Sequence, residues 1–172
     1  MQRARRPASV EDPDDVRAAE EVAVRILNGA AQSATALQHR LRQRGFSPLA
    51  ARVAADRCRE HGYVNDAALA ASLVGRMQRA GRGRSRIAVE LRRRGIAADA
   101  VEAALGPAAA GADDAAALDV GRKLLHREMA RVREDGGARR RVAAALQRRG
   151  FAASVIAHTL RTLSEEAHSS SE

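Results

Sequence analysis

The chain of 172 residues has no tryptophan, one tyrosine, two phenylalanines, four prolines and a single cysteine. One cysteine leaves no disulfide framework within the chain. Cys58 falls beside Val53 and Ala55 on a predicted helix, where a buried core thiol is the expected state rather than a reactive one. Aromatics are too few to build a platform for stacking unpaired bases, with Tyr63 the one exposed candidate. β-Branched and aromatic residues are scarce, which disfavours strands. No run approaches the roughly 18 apolar residues of a membrane span, and the N-terminus MQRARRPASVEDPDD lacks an apolar signal segment. A soluble cytoplasmic protein with no membrane association is therefore expected. Lysine is almost missing too: Lys123 stands alone beside 29 arginines.

What is present points to helices. Forty residues are alanine, and alanine and arginine are strong helix formers, so the fold class read here is all-α. The hydrophobic share of 45% is largely alanine, which buries little area, so several small helical units fit better than one large core. Basic residues outnumber acidic ones 30 to 21, for a net charge of +9. The excess sits in residues 37–105, which hold 14 basic and 6 acidic side chains. A surplus of this size suits a polyanionic partner without specifying one.

An internal repeat organises the chain. LQHRLRQRGFSPLAARVAA at 37–55, IAVELRRRGIAADAVEAAL at 87–105 and VAAALQRRGFAASVIAHTL at 142–160 share one pattern. Its pivots are Gly45, Gly95 and Gly150. Eight and four residues before each pivot stand Leu37 and Leu41, Ile87 and Leu91, Val142 and Leu146, an apolar pair on one helix face. The glycine suits the left-handed position after a helix, and Phe46, Ile96 or Phe151 follows to plug the corner. A second helix then begins, with Ser47-Pro48 an N-cap followed by proline in the first copy.

Longer helices are predicted at about 14–27, 67–80 and 113–134. The simplest parse is three tandem three-helix, helix-turn-helix-like repeats, at 13–62, 63–106 and 107–163, with disordered tails at 1–12 and 164–172. Modules of this size are weak alone, which favours neighbours packed end to end in an extended array over a compact nine-helix globule.

Chemistry of the catalytic kind finds no support. The five histidines show no metal-ligand spacing, no phosphate-binding glycine loop follows a strand, and no nucleophile–base–acid set can be singled out. No cofactor, no metal and no catalytic residue are expected, and the chain reads as a non-enzyme. The basic clusters divide by helix geometry. Arg44, Arg94 and Arg149 follow Leu37, Ile87 and Val142 by seven residues, so their stems are expected on the apolar face with the guanidinium over the helix end. Arg42, Arg92, Arg93, Arg140, Arg141 and Arg148 point away from it, and Arg82, Arg84 and Arg86 lie in the basic loop just before the motif copy at 87–105. These nine are the candidate partner-binding residues, facing either nucleic-acid phosphate or an acidic protein surface. The short second helices are alanine-rich and poor in base-reading side chains, which opposes a sequence-specific helix–turn–helix. GYVND at 62–66 reads as an inter-module joint: Gly62 ends a helix, Tyr63 and Val64 pack into the elbow, and Asn65-Asp66 cap the next helix.

Taken in order, the GYVND joint followed by AALAASLVGR, the GRGRSRIAVELRRRGI run and the LDVGRKLL helix resemble the bacterial RecX family, regulators of the RecA recombinase. Similarity spans about residues 16–163, and the order and spacing of the motifs carry it. Ala68, Leu69 and Leu73 stand where the family usually has an arginine and an aromatic, so an aromatic contact from that helix is not expected here. Ala36 likewise leaves Ser33 without a capping-box glutamate. The resemblance implies a curved rod of three-helix modules that binds RecA directly and sits in the groove of the RecA–single-stranded-DNA filament; a monomer is expected. It further implies inhibition of ATP hydrolysis, strand exchange and coprotease activity, and in some members direct DNA binding. The alternative, open on charge alone, is a helical protein binding DNA non-specifically without RecA.

Overall fold

The structure, a computed structural model, describes residues 10–129 and 137–169. Among them are nine helices and no strand, so the chain is an all-α helical-repeat protein. The helices are α1 (Val16–Gly29), α2 (Ala34–Gln43), α3 (Pro48–Glu60), α4 (Asp66–Arg79), α5 (Arg84–Arg93), α6 (Ala98–Ala104), α7 (Pro107–Met129), α8 (Gly137–Arg148) and α9 (Ala153–Ser169).

Their ends follow from local chemistry. The carboxylate of Asp15 accepts from Ala18 N at the start of α1, and Ser33 and Ser47 do the same for α2 and α3, with Pro48 opening the latter. The pivot glycines adopt left-handed backbone, with φ of +102° at Gly45, +73° at Gly95 and +85° at Gly150. At the first and third corners the following amide, Phe46 N or Phe151 N, donates back to Leu41 O or Leu146 O at 3.3 Å. Phe46, Ile96 and Phe151 are all buried, as their place after the pivot predicts.

Two compact units result, one of Met1–Ala70 with Arg92–Ala100 and the other of Ala71–Leu91 with Val101–Glu172. In the first, α1, α2 and α3 close on Ala19, Ala23, Ile26, Leu37, Leu41, Phe46, Ala51, Ala54, Ala55 and Cys58. Burial, with Glu20 nearby, pushes the Cys58 thiol above its ordinary range. In the second, α7, α8 and α9 close on Ala117, Val142, Leu146, Phe151 and Leu163. The first core is rich in alanine, whereas the second is built mainly from Leu, Val, Ile and Phe, with close helix approach at a glycine. Gly121 of α7 illustrates this: a Cβ there would lie 2.9 Å from Leu163 Cδ1 and 3.1 Å from Thr159 Cγ2 of α9.

Four details depart from the reading of the bare sequence. α7 starts at Pro107 rather than 113, because Gly106-Pro107 both stops α6 and supplies the first residue of the next helix; the expected end of α7 beyond Met129 lies outside the described residues. α9 runs to Ser169, into the segment 164–172 expected as tail, with Ser164 Oγ on Leu160 O at 2.8 Å and Glu166 paired with Arg122 of α7. At the other end, Val10 packs on the first core, and Ser47 N donates to Pro13 O at 2.8 Å, so order begins before residue 13. The rest of the N-terminal tail, 1–9, and residues 170–172 lie outside the described residues. In the joint, Val64 is buried but Tyr63 is 61% exposed, its ring tilted beside His61.

Candidate partner-binding arginines

All nine candidate arginines are exposed. The first unit presents Arg42 on α2 and Arg92 and Arg93 at the end of α5; the second presents Arg82, Arg84, Arg86, Arg140, Arg141 and Arg148. The three arginines expected against the apolar face behave differently from one another. Arg149 is half-buried and donates from Nη1 to Ala145 O at 3.1 Å, over the end of its own helix. Arg44 and Arg94 are exposed, because the helix ends just before them and the chain turns away at the glycine.

In the second unit an interlock sets the position of three candidates. Gly83 N donates to Arg149 O at 2.8 Å and Ser85 N to Gly150 O at 3.1 Å, which lays the Gly81–Arg86 backbone across the α8–α9 corner. Contact is intimate: a Cβ on Gly150 would lie 2.7 Å from Arg86 Cβ. Arg84 and Arg86 are thereby held at the corner that follows Arg148. The first amide of α5, Arg84 N, is capped by Asp113 of α7, with Oδ1 at 3.2 Å and Oδ2 at 3.4 Å. Asp113 is only 4% exposed. Burial pushes its carboxyl above the ordinary range, Asp114 adds to that, and the Arg84 amide and charge oppose it.

The first unit contains the same device with other groups. Ser33 Oγ donates to Arg94 O at 2.6 Å while accepting from Ala36 N, so one hydroxyl caps α2 and grips the α5–α6 corner. Asp66 Oδ1 accepts from Ala34 N at 3.0 Å. The cap of α4 is Asn65, whose Oδ1 takes Ala68 N at 2.9 Å; Asp66 caps α2 instead of its own helix. Gly62 takes the left-handed turn, φ +76°, that the joint needs.

Sequence reasoning missed Asp113 and the reach of Asp66 and Ser33. A signal existed: Ala34 and Arg84, the two capped amides, lie at the same repeat position, 50 residues apart. Their carboxylate partners are 47 apart, because they sit on long helices that break the repeat's period. The arginines can supply dispersed positive charge and bidentate contacts to carboxylate or phosphate. Among the described residues no cluster of three or more His, Cys, Asp or Glu is placed to hold a metal ion. No helix among them is long and apolar enough to cross a membrane.

Comparison with known proteins bears on this arrangement. The family description "RecX, second three-helix domain" matches residues 65–105. Regulatory protein RecX of Mycobacterium ulcerans is 31% identical over 150 residues, covering 87% of this chain and 86% of that one. RecX of Mycobacterium sp. strain JLS is 35% identical over 154 residues, covering 84% and 82%. The crystal structure of RecX from Lactobacillus salivarius superposes with a TM-score of 0.79 over 88% of this chain and 97% of that one, at 18% identity, and so speaks to the fold.

Proposed function

Because the chain belongs to the RecX family of regulatory proteins, we propose that it acts without catalysis, in the cytoplasm and as a monomer, on RecA and the filament RecA forms on single-stranded DNA. In this reading it inhibits the filament's ATPase, strand exchange and coprotease activity and so modulates DNA repair and recombination. Similarity to regulators named RecX over 84–87% of the chain carries the reading. The nine exposed arginines support it, since they offer many separate contacts to a repeating acidic or phosphate-bearing partner. Weak contacts distributed along a periodic filament add through effective concentration, which favours filament over free RecA. Arginines 92 and 93 at the end of α5 and 82, 84 and 86 at its beginning are the residues assigned to acidic RecA surface or DNA phosphate.

The test is the single-stranded-DNA-dependent ATPase of the cognate RecA, titrated with this protein at sub-stoichiometric ratios and with DNA in excess. Loss of ATPase well below one protein per RecA is the expected result. Arg92→Glu with Arg93→Glu should weaken the inhibition and flatten its salt dependence; inhibition untouched by both reversals would remove those residues from the interface. No inhibition, together with RecA-independent DNA binding whose affinity falls linearly on a log–log salt plot, would replace the proposal by plain non-specific DNA binding.

A further inference from the structure

A cleft of about 580 Å³ runs along α2 in the first unit. Its polar wall is His39, Arg40 and Gln43 from α2, and Arg93, Arg94 and Gly95 come from the α5–α6 corner. The interlock forms it: Ser33 Oγ holds Arg94 O at 2.6 Å, and the Gly95 backbone lies so close to α2 that a Cβ there would be 3.0 Å from Thr35 Cβ. Among the described residues that line the cleft there is no carboxylate, and Asp66 Oδ1 is engaged by the Ala34 amide. The corresponding interlock in the second unit borders a cleft of about 460 Å³ with Asp113 and Asp114 in its wall beside Arg84. The two clefts share no repeat-equivalent lining residue, and of the two the first, with Arg40, Arg93 and Arg94 in its wall, is the one whose charge suits an anion.

We propose that this cleft docks an extended acidic segment of a protein partner. The inference goes beyond the nine-arginine surface, since His39, Arg40, Gln43 and Arg94 belong to none of it. Three features favour a peptide over nucleic acid. Among the described residues no Phe, Tyr or Trp lines the cleft, so His39 is its one ring and there is no platform for a run of unpaired bases. Ala30, Ala31 and Ala36 leave room for a backbone to approach closely, with Gln43 and Thr35 at hand for its amides. A duplex is too broad to enter a cleft of this volume, whereas an extended chain carrying carboxylates matches guanidinium groups bidentately.

The experiment is fluorescence anisotropy of fluorescein-labelled hexaglutamate titrated with the full chain at low ionic strength, with hexaglutamine as the neutral counterpart. Hexaglutamate should bind and hexaglutamine should not. Arg40→Glu and Gln43→Glu, both at exposed positions of α2, should each weaken binding by roughly fivefold or more, because a like charge is set against the ligand. Arg52→Glu, an equal change of charge on exposed α3 outside the cleft, should weaken it less than about twofold at a moderate screening length. Arg40→Gln, with melting unchanged, repeats the test without a reversed charge and should also weaken binding. Equal loss from Arg52→Glu, or no binding of hexaglutamate, overturns the site. So does a single-stranded oligothymidine that displaces hexaglutamate and depends more strongly on Arg40, since the occupant would then be nucleic acid.

Discussion

Replacing Gly83 by alanine tests whether the interlock of the second unit is rigid. A Cβ at position 83 would lie 2.5 Å from Gly150 O and press on the Gly150 carbonyl carbon and Phe151 amide. All three are backbone atoms at a helix corner, with no side chain that can swing aside. Ordinary contact needs about 3.5 Å, so the Gly81–Arg86 segment must retreat by about 1 Å. That retreat breaks Gly83 N to Arg149 O and Ser85 N to Gly150 O, each worth about 1 kcal/mol net. Residual overpacking adds about 1 kcal/mol or more. The sum is about 3 kcal/mol, a large part of the roughly 5–15 kcal/mol that holds a typical domain folded. Thermal melting followed by circular dichroism should then fall by about 6–12 °C. Hydrogen exchange at the Gly83 and Ser85 amides should rise with it. Gly111→Ala serves as the control, because nothing lies within 4 Å of a Cβ there and Gly111 is inside α7; it should stabilise by up to about 1 kcal/mol. A Gly83→Ala protein melting within about 2 °C of the parent would refute the claim that this corner cannot yield.

Three further outcomes follow from the capping groups and the cores. Asp66→Ala removes the acceptor of Ala34 N and should cost about 1 kcal/mol, read by urea denaturation, although it lies outside the helix it caps. Asp113 has a folded pKa raised above its unfolded one, so its contribution is full below the unfolded value and is lost as pH rises through the folded value. Asp113→Asn keeps an oxygen for Arg84 N without the buried charge. Its stability relative to the parent should therefore improve as pH is raised from below 4 toward neutrality; a difference that stays flat with pH would contradict the assignment. Thr159 Oγ1 is buried with no hydrogen-bond partner among the described residues, so Thr159→Val should leave melting unchanged or raise stability by about 1 kcal/mol.

The clearest gains of the sequence reading lie where cause and effect are close along the chain. Leu37 and Leu41, Ile87 and Leu91, Val142 and Leu146 are all buried because a helix turns a spacing of four into a shared face. Gly45, Gly95 and Gly150 could be placed after their helices because a left-handed residue there is a local steric demand. Exposure of Arg42, Arg92, Arg93, Arg140, Arg141 and Arg148 follows from the same periodicity, whereas Arg84 and Arg86, expected in a loop, are exposed on the first turn of α5. Arg44 and Arg94 stand one residue past the ends of α2 and α5, where that periodicity no longer applies.

Helix type, the glycine corners, the apolar face of each repeat and the outward arginines were thus determined by the sequence itself, since each depends on neighbours within about two turns. Only the tertiary structure decided what grips each corner. Ser33 holds one through a hydroxyl and Gly83 holds the other through a bare amide, and a backbone N–H leaves no mark in the sequence. Asp66 and Asp113 reach amides 32 and 29 residues back along the chain, a distance that helix length sets and residue identity does not. The cleft beside α2 exists for the same reason, because its two walls meet only when Ser33 closes on Arg94.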